Sequence, residues 1–194
     1  PVADKTLAEI MALKVLPVNT KTVHKLYDYS KFNVEELKVP TMEEYFDICN
    51  RNGCVAFVEL KEDKGVIEAM INAIEKYGMQ DRCVISSGNL ALLEAYRAAG
   101  GKEVIHLIFA KPEQIRRVQE LGNASVSFKY SDHSAEVDLN IEGVRIKSFS
   151  QLVDHMHALG IRICFRAADT QEDALKMIEY GTDYMPSNVK TTIE

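Results

Sequence analysis

A chain of 194 residues with 46% hydrophobic and 27% charged residues has the composition of a folded globular protein with room for a substantial core. Its net charge of −6 excludes a general nucleic-acid binder, which needs a basic surface to neutralise phosphates. No apolar run approaches the ~18 residues of a membrane-spanning helix, and the opening Pro1-Val2-Ala3-Asp4-Lys5 does not read as a signal peptide.

The first 50 residues carry two helices and a polar stretch. Thr6–Leu13 reads as a helix, Asn19–Lys38 as a polar loop, and Met42–Arg51 as a helix opened by a capping box of Thr41 and Glu44. From Gly53 onward, short apolar runs alternate with helical periods. The strand Val55–Lys61 is apolar enough to be buried on both faces, and the helix Lys64–Tyr77 follows it. Next come the strand Cys83–Ser87 and the helix Leu90–Ala99, which stops at Gly100-Gly101. The strand Val104–Ala110 precedes the helix Pro112–Leu121, opened by proline and ended by Gly122. A fourth strand begins near Ser125, but Lys129–Lys147 breaks the rhythm. Either Ser125–Tyr130 or Ala135–Ile141 is the strand of the main sheet, the other being an insertion strand or hairpin. Helix Phe149–Leu159, strand Ile161–Arg166, helix Thr170–Tyr180 and a short strand Tyr184–Pro186 complete the series.

Regular βα alternation implies a parallel sheet. Six strands are counted, whereas a closed (β/α)₈ TIM barrel needs eight and typically ~250 residues. The expected fold is therefore α/β, a TIM-type barrel incomplete by its first two strands, in a single domain spanning residues 1–194. A six-stranded doubly wound sheet is the alternative, disfavoured because no Gly-rich phosphate loop follows the first strand. An incomplete barrel leaves an open edge, which a homo-oligomer or partner chain would cover. Cys49, Cys54, Cys83 and Cys164 lack C-x-x-C spacing and read as buried thiols, which points to a reducing compartment and a cytoplasmic location.

The segment Val58-Glu59-Leu60-Lys61 ends an apolar strand in a carboxylate and an amine. Side chains two apart on a strand share a face, and the carboxyl ends of parallel strands are where barrel chemistry sits. Glu59 and Lys61 are therefore a candidate active site; a structural ion pair at the barrel mouth is the competing reading.

Several blocks resemble the glycerophosphodiester phosphodiesterase family. They are Lys5-Thr6-Leu7-Ala8-Glu9-Ile10, Val39-Pro40-Thr41-Met42-Glu43-Glu44, Val58-Glu59-Leu60-Lys61, Val84-Ile85-Ser86-Ser87, Gly160-Ile161-Arg162-Ile163 and Gly181-Thr182-Asp183-Tyr184. Each is short; their order and spacing carry the likeness, over nearly the whole chain. The resemblance implies a TIM barrel that hydrolyses glycerophosphodiesters to an alcohol and glycerol phosphate, using a divalent metal, calcium or magnesium, held by carboxylates. It further implies that Glu59 is a metal ligand and that Lys61 lies on the phosphate side. The family's His-Arg and Glu-x-Asp motifs and its acid/base histidines have no counterpart in this chain; they are expected before Pro1, so the isolated chain is expected to be inactive.

Arg166 stands where the family usually has a tryptophan, and this chain contains no Trp. An arginine there binds phosphate bidentately or pairs with Glu59 or Asp169. Ser86, Ser87, Lys111 and Asn188 fall at or just past strand ends and are expected to line the pocket. The histidines are read as structural. His155 and His157 sit two apart on a helix and face different ways, His106 lies within a strand as a hydrogen-bonded core residue, and His24 and His133 fall in polar loops. The alternative function is a non-catalytic TIM-barrel-like binding or assembly module that has lost the metal site. A sugar-phosphate barrel enzyme is a weaker third reading, because no Gly-rich phosphate loop follows the late strands.

Overall fold

A computed structural model of the chain describes residues 2–14, 37–128, 136–165 and 167–187. Two helices precede the sheet, α1 (Leu7–Met11) and α2 (Met42–Arg51), each opened by a capping box. At α2 the Thr41 hydroxyl accepts from the Glu44 N–H at 3.2 Å, and the Glu44 carboxylate accepts from the Thr41 N–H at 2.9 Å. Two orphan amides are thereby satisfied at the helix start, as the Thr-x-x-Glu pattern requires. None of the described helices is long and apolar enough to cross a membrane.

The alternating segment then folds as β1 (Ala56–Glu59), α3 (Val66–Lys76), β2 (Cys83–Ser87), α4 (Leu90–Ala98), β3 (Val104–Leu107), α5 (Ile115–Leu121) and β4 (Ala124–Phe128). A hairpin of β5 (Leu139–Ile141) and β6 (Val144–Ile146) interrupts the series, before α6 (Phe149–Ala158), β7 (Arg162–Phe165) and α7 (Gln171–Tyr180). Five strands form one parallel sheet in the order β1-β2-β3-β4-β7, and Tyr184 adds a sixth parallel position by a bridge to Cys164. The ambiguity around residue 125 resolves cleanly. Ala124–Phe128 is the strand of the main sheet, and the later apolar run forms the antiparallel hairpin. Strands joined by the two-residue turn Glu142-Gly143 pair locally, whereas a parallel strand must wait for a crossover.

Alternate strand residues divide between two environments. Ile85, Ile105, Leu107, Val126 and Ile163 join Ile67, Met70, Ile74, Leu93, Tyr96, Val118, Leu152 and Met156 of the helices in one buried core. The opposite face carries Phe57, Glu59, His106, Ser127 and Cys164 and looks into a cavity. Phe149, Phe165 and Tyr180 join α6, β7 and α7, with Phe149 and Tyr180 stacked at 5.0 Å.

Burial of the first strand on both faces is not what forms. Phe57 is 47% exposed and Val55 56%. The strand is the edge of the sheet among the described residues, and its cavity face has no packed neighbour layer, so period-2 alternation replaces two-sided burial. The Leu60 N–H donates to the Ser86 carbonyl at 2.7 Å, so Phe57 and Glu59 turn their backbone groups away from β2. There the Tyr45 hydroxyl of α2 accepts the Phe57 N–H at 3.1 Å, which blunts part of an otherwise open edge.

All four cysteines are free; Cys49, Cys83 and Cys164 are buried and Cys54 is exposed. Burial pushes the Cys83 and Cys164 thiols up to about 12, far from the thiolate form that reacts. A colorimetric thiol titration of the native chain is expected to detect one fast thiol, Cys54, and four after denaturation. Two fast thiols would show that a core position opens on the timescale of labelling.

Candidate active-site cavity at the strand ends

Parallel strands aligned in register bring their carboxyl ends to one end of the sheet. Glu59 ends β1 there, and the Lys61 ammonium lies 2.6 Å from its Oε1. Both side chains are well exposed, at 44% for Glu59 and 75% for Lys61. An exposed ion pair contributes at most about 1 kcal/mol. Stability alone therefore gives weak reason to hold two charges at the end of an apolar strand.

Ser86 and Ser87 sit behind that pair and are almost completely buried. The Ser86 hydroxyl donates to the Val58 carbonyl at 3.2 Å, and the Ser87 hydroxyl donates to the Leu60 carbonyl at 2.8 Å. Ser87 Oγ also accepts the Asn89 N–H at 3.1 Å. The two serines thus bind the end of β1 to β2 and set where Glu59 and Lys61 project. Lys111 is exposed in the turn after β3, its N–H donating to Gln114 Oε1 at 2.9 Å. Arg166 and Asn188 lie outside the described residues, as do His24 and His133.

Beside Glu59 lies a cavity of about 650 Å³ lined by residues of β1, β3, β4, β7 and the final strand position. The side chains of Ser86, Ser87, Lys111 and Lys61 are not part of its lining; Glu59 is. His106 and Ser127 supply its polar floor, and Phe57, Phe109 and Tyr184 much of the rest. The hydrogen bonds orient the imidazole. Ser125 Oγ donates to the Ile105 carbonyl at 3.3 Å, so it accepts from His106 Nδ1–H at 2.7 Å. The unprotonated Nε2 then accepts from the Ser127 hydroxyl at 3.3 Å, while Ser127 Oγ accepts the Phe109 N–H at 3.2 Å. Burial lowers the His106 pKa to about 4, so the ring is neutral near pH 7. The Phe57 ring meets it edge-on at 5.3 Å.

Phe109 is itself unusual, with a φ of 55° in the left-handed region. Its own N–H bond to Ser127 and the neighbouring Ile108 and Ala110 amides, which donate to Ser87 and Ser127 carbonyls, hold it there. Sequence reading assigned His106 correctly to a hydrogen-bonded interior position but missed Phe57, Phe109 and Ser127 as cavity residues. A usable signal exists: Phe57 and Glu59, His106 and Ile108, and Ser125 and Ser127 are spaced by two. His157, by contrast, pairs with Asp183 at 2.9 Å near the start of β7, away from the strand ends that carry Glu59.

Among the described residues, Glu59 has few oxygen donors beside it that could share a divalent cation. Calcium takes six to eight oxygen ligands, and magnesium takes six, of which water supplies several and protein one or two carboxylates. Glu59 offers one carboxylate, already compensated by Lys61. Among the described residues, no three His, Cys, Asp or Glu side chains come together as a metal site. These residues do not by themselves fit the ion.

Neither protein-family models nor curated protein sequences match the chain. Solved structures do. A protein from Silicibacter pomeroyi assigned as a glycerophosphoryl diester phosphodiesterase superposes with a TM-score of 0.68 at 21% identity, over 97% of this chain and 66% of its own. One from Galdieria sulphuraria assigned as a glycerophosphodiester phosphodiesterase gives 0.67 at 19% identity, over 96% and 68%. The glycerophosphodiester phosphodiesterase from Parabacteroides distasonis gives 0.57 at 15% identity, over 78% and 61%. The chain thus spans about two thirds of the length of these proteins, and across nearly all of its own length it has the fold of glycerophosphodiester phosphodiesterases, as a partial TIM barrel.

Proposed function

We propose that this chain belongs to a phosphodiester hydrolase of the glycerophosphodiester phosphodiesterase type, cleaving glycerophosphodiesters to an alcohol and glycerol phosphate. The observation that carries the reading is the Glu59–Lys61 pair, placed at the carboxyl end of a parallel strand and beside a cavity in that fold. In this reading Lys61 binds the phosphate, a role suited to a compact ammonium on a flexible stem. Glu59 orients Lys61 and supplies one carboxylate to a divalent cation whose other ligands are not among the residues described. Ser86 and Ser87 act indirectly, by anchoring β1. Arg166, which follows Phe165 in the sequence, is proposed as a second phosphate-side cation, and Lys111 and Asn188 as further residues of the substrate site. His106 is given no acid/base role, because both of its ring nitrogens are engaged by Ser125 and Ser127.

Binding of glycerol 3-phosphate and glycerophosphocholine, measured by calorimetry on the 194-residue chain, tests this. Lys61→Gln is expected to weaken both at least tenfold, the loss of about 1.4 kcal/mol from one charge-assisted hydrogen bond. Turnover of glycerophosphocholine by these 194 residues alone is expected to stay at background. Equal affinity in the Lys61→Gln variant would remove Lys61 from the phosphate site.

A further inference from the structure

The end of α2 brings two of the four cysteines together, away from the cavity. Gly53, with a φ of 63°, lets the chain turn back as the helix closes. Its N–H donates to the Asn50 carbonyl at 3.3 Å, and the Cys54 N–H donates to the Cys49 carbonyl at 2.9 Å. This pair of bonds is a Schellman turn, and the residues joined by the longer-range bond commonly bring their side chains into contact. Here those residues are Cys49 and Cys54. A disulfide needs Cα atoms about 4.4–6.8 Å apart, a separation usual between residues whose backbones hydrogen-bond directly. The two thiols differ in access, since Cys49 is buried and Cys54 is exposed. An exposed thiol set beside a second thiol is the arrangement that turns reversible oxidation into a disulfide.

We propose that Cys49 and Cys54 form a peroxide-responsive dithiol, in which Cys54 is oxidised from solvent and Cys49 resolves it into a disulfide. The oxidant is a hydroperoxide, and the steps balance with it. The Cys54 thiolate attacks a peroxide oxygen, the O–O bond breaks, and a sulfenic acid forms as water leaves. Cys49 then attacks the Cys54 sulfur, the S–O bond breaks, and hydroxide departs as water with the Cys49 proton. Two thiols lose two electrons and two protons, and one hydrogen peroxide becomes two waters. The second step requires the Cys54 thiol, now 3.7 Å from the Asn52 carbonyl, to rotate toward Cys49. Cys83 is the competing partner, because it and Cys49 both lie near the Tyr45 hydroxyl. It is buried at the start of β2, however, and does not meet a solvent oxidant first. Cys54 stands two residues before β1, so the disulfide ties the end of α2 to the lead-in of the strand that carries Glu59.

Treatment of the 194-residue chain with hydrogen peroxide, followed by alkylation in acid and tryptic mass mapping, tests this. Each cysteine falls on its own peptide: Cys49 on 39–51, Cys54 on 52–61, Cys83 on 83–97 and Cys164 on 163–166. The expected product is a monomer in which 39–51 and 52–61 are joined, two hydrogens lighter than the separate peptides. Fast thiols should fall from one to none and thiols counted after denaturation from four to two, with dithiothreitol restoring both counts. Cys49→Ala removes the resolving thiol, so peptide 52–61 should instead gain two or three oxygens as the sulfinic or sulfonic acid. Mapping of the parent chain decides the matter even where that variant folds poorly. A link between the Cys54 residues of two chains, or a link from 39–51 to 83–97, would overturn the proposal. Sulfinic acid at Cys54 of the parent with Cys49 still free would overturn it as well, as would an unchanged count of fast thiols.

Discussion

Gly101→Ala is expected to destabilise the chain by about 3 kcal/mol, at the upper end of what overpacking a buried site costs. A Cβ built on Gly101 would sit 2.2 Å from Tyr96 Cε1 and 2.3 Å from its Cζ. The Tyr96 ring cannot yield easily. It is completely buried in the core, and its hydroxyl donates to the buried Glu103 carboxylate, which also accepts the Lys102 N–H at 3.0 Å. The backbone is tied down as well: the Gly101 N–H donates to the Tyr96 carbonyl at 3.1 Å, and its carbonyl accepts from Arg97 Nη1 at 2.8 Å. With a urea dependence of about 2 kcal/mol per molar, the midpoint should fall by about 1.5 M. Gly88→Ala is the control. Nothing lies within 4 Å of a Cβ there, and the change should stay within about 0.5 kcal/mol. Equal effects at the two glycines would show that the Tyr96 ring gives way to the added Cβ.

Acidification provides the second large effect, through His106. Its pKa lies near 4 in the folded chain against an ordinary value of 6.5, with burial as the cause. Above pH 6.5 the ring is neutral in both states and contributes no pH dependence. Between pH 6.5 and 4 the unfolded chain takes up a proton that the folded chain refuses, so stability falls as pH falls. Below pH 4 both states are protonated and the loss levels off, at on the order of 3 kcal/mol for a shift of this size. Urea unfolding at a series of pH values should therefore show His106→Gln losing less stability than the parent chain between pH 6.5 and 4. Parallel profiles for the two proteins would mean that His106 is solvated and protonates freely in the native cavity. Carboxylate titrations are common to both and cancel in the comparison.

Much of the architecture was legible from periodicity, and the reason is local. The Thr41/Glu44 capping box, the glycines that close the helices and the alternation of apolar runs with helical periods each depend on a few neighbouring residues. Most reappear close to their expected bounds, but α5 starts at Ile115 after a 3-10 turn over Pro112–Gln114, β3 stops at Leu107, and the last expected strand is a single bridge at Tyr184. A run such as Val55–Lys61 is different, because burial of a strand depends on what packs beside it. Phe57 and Val55 look like core residues in sequence and are exposed in fact, since β1 is the edge of the sheet among the described residues. The region after residue 124 stayed open in sequence for the same reason. Two apolar segments of equal merit competed, and only pairing with β3 and β7 distinguished the sheet strand from the hairpin.

For the candidate site, the sequence by itself determined that a carboxylate and an amine two residues apart would emerge together at a strand end, because the period of a strand is two. Tertiary structure decided what surrounds them. Ser86 and Ser87 became anchors of β1, because neighbouring strands bring the Val58 and Leu60 carbonyls within reach of their hydroxyls. His106, Ser125 and Ser127 became a closed polar network, because parallel register places residues about 20 apart in the chain side by side. The apolar cavity over that network has no linear signature. Its walls come from residues of β1, β3, β4, β7 and the Tyr184 bridge, which lie far apart in the chain and meet only through the pairing of the sheet.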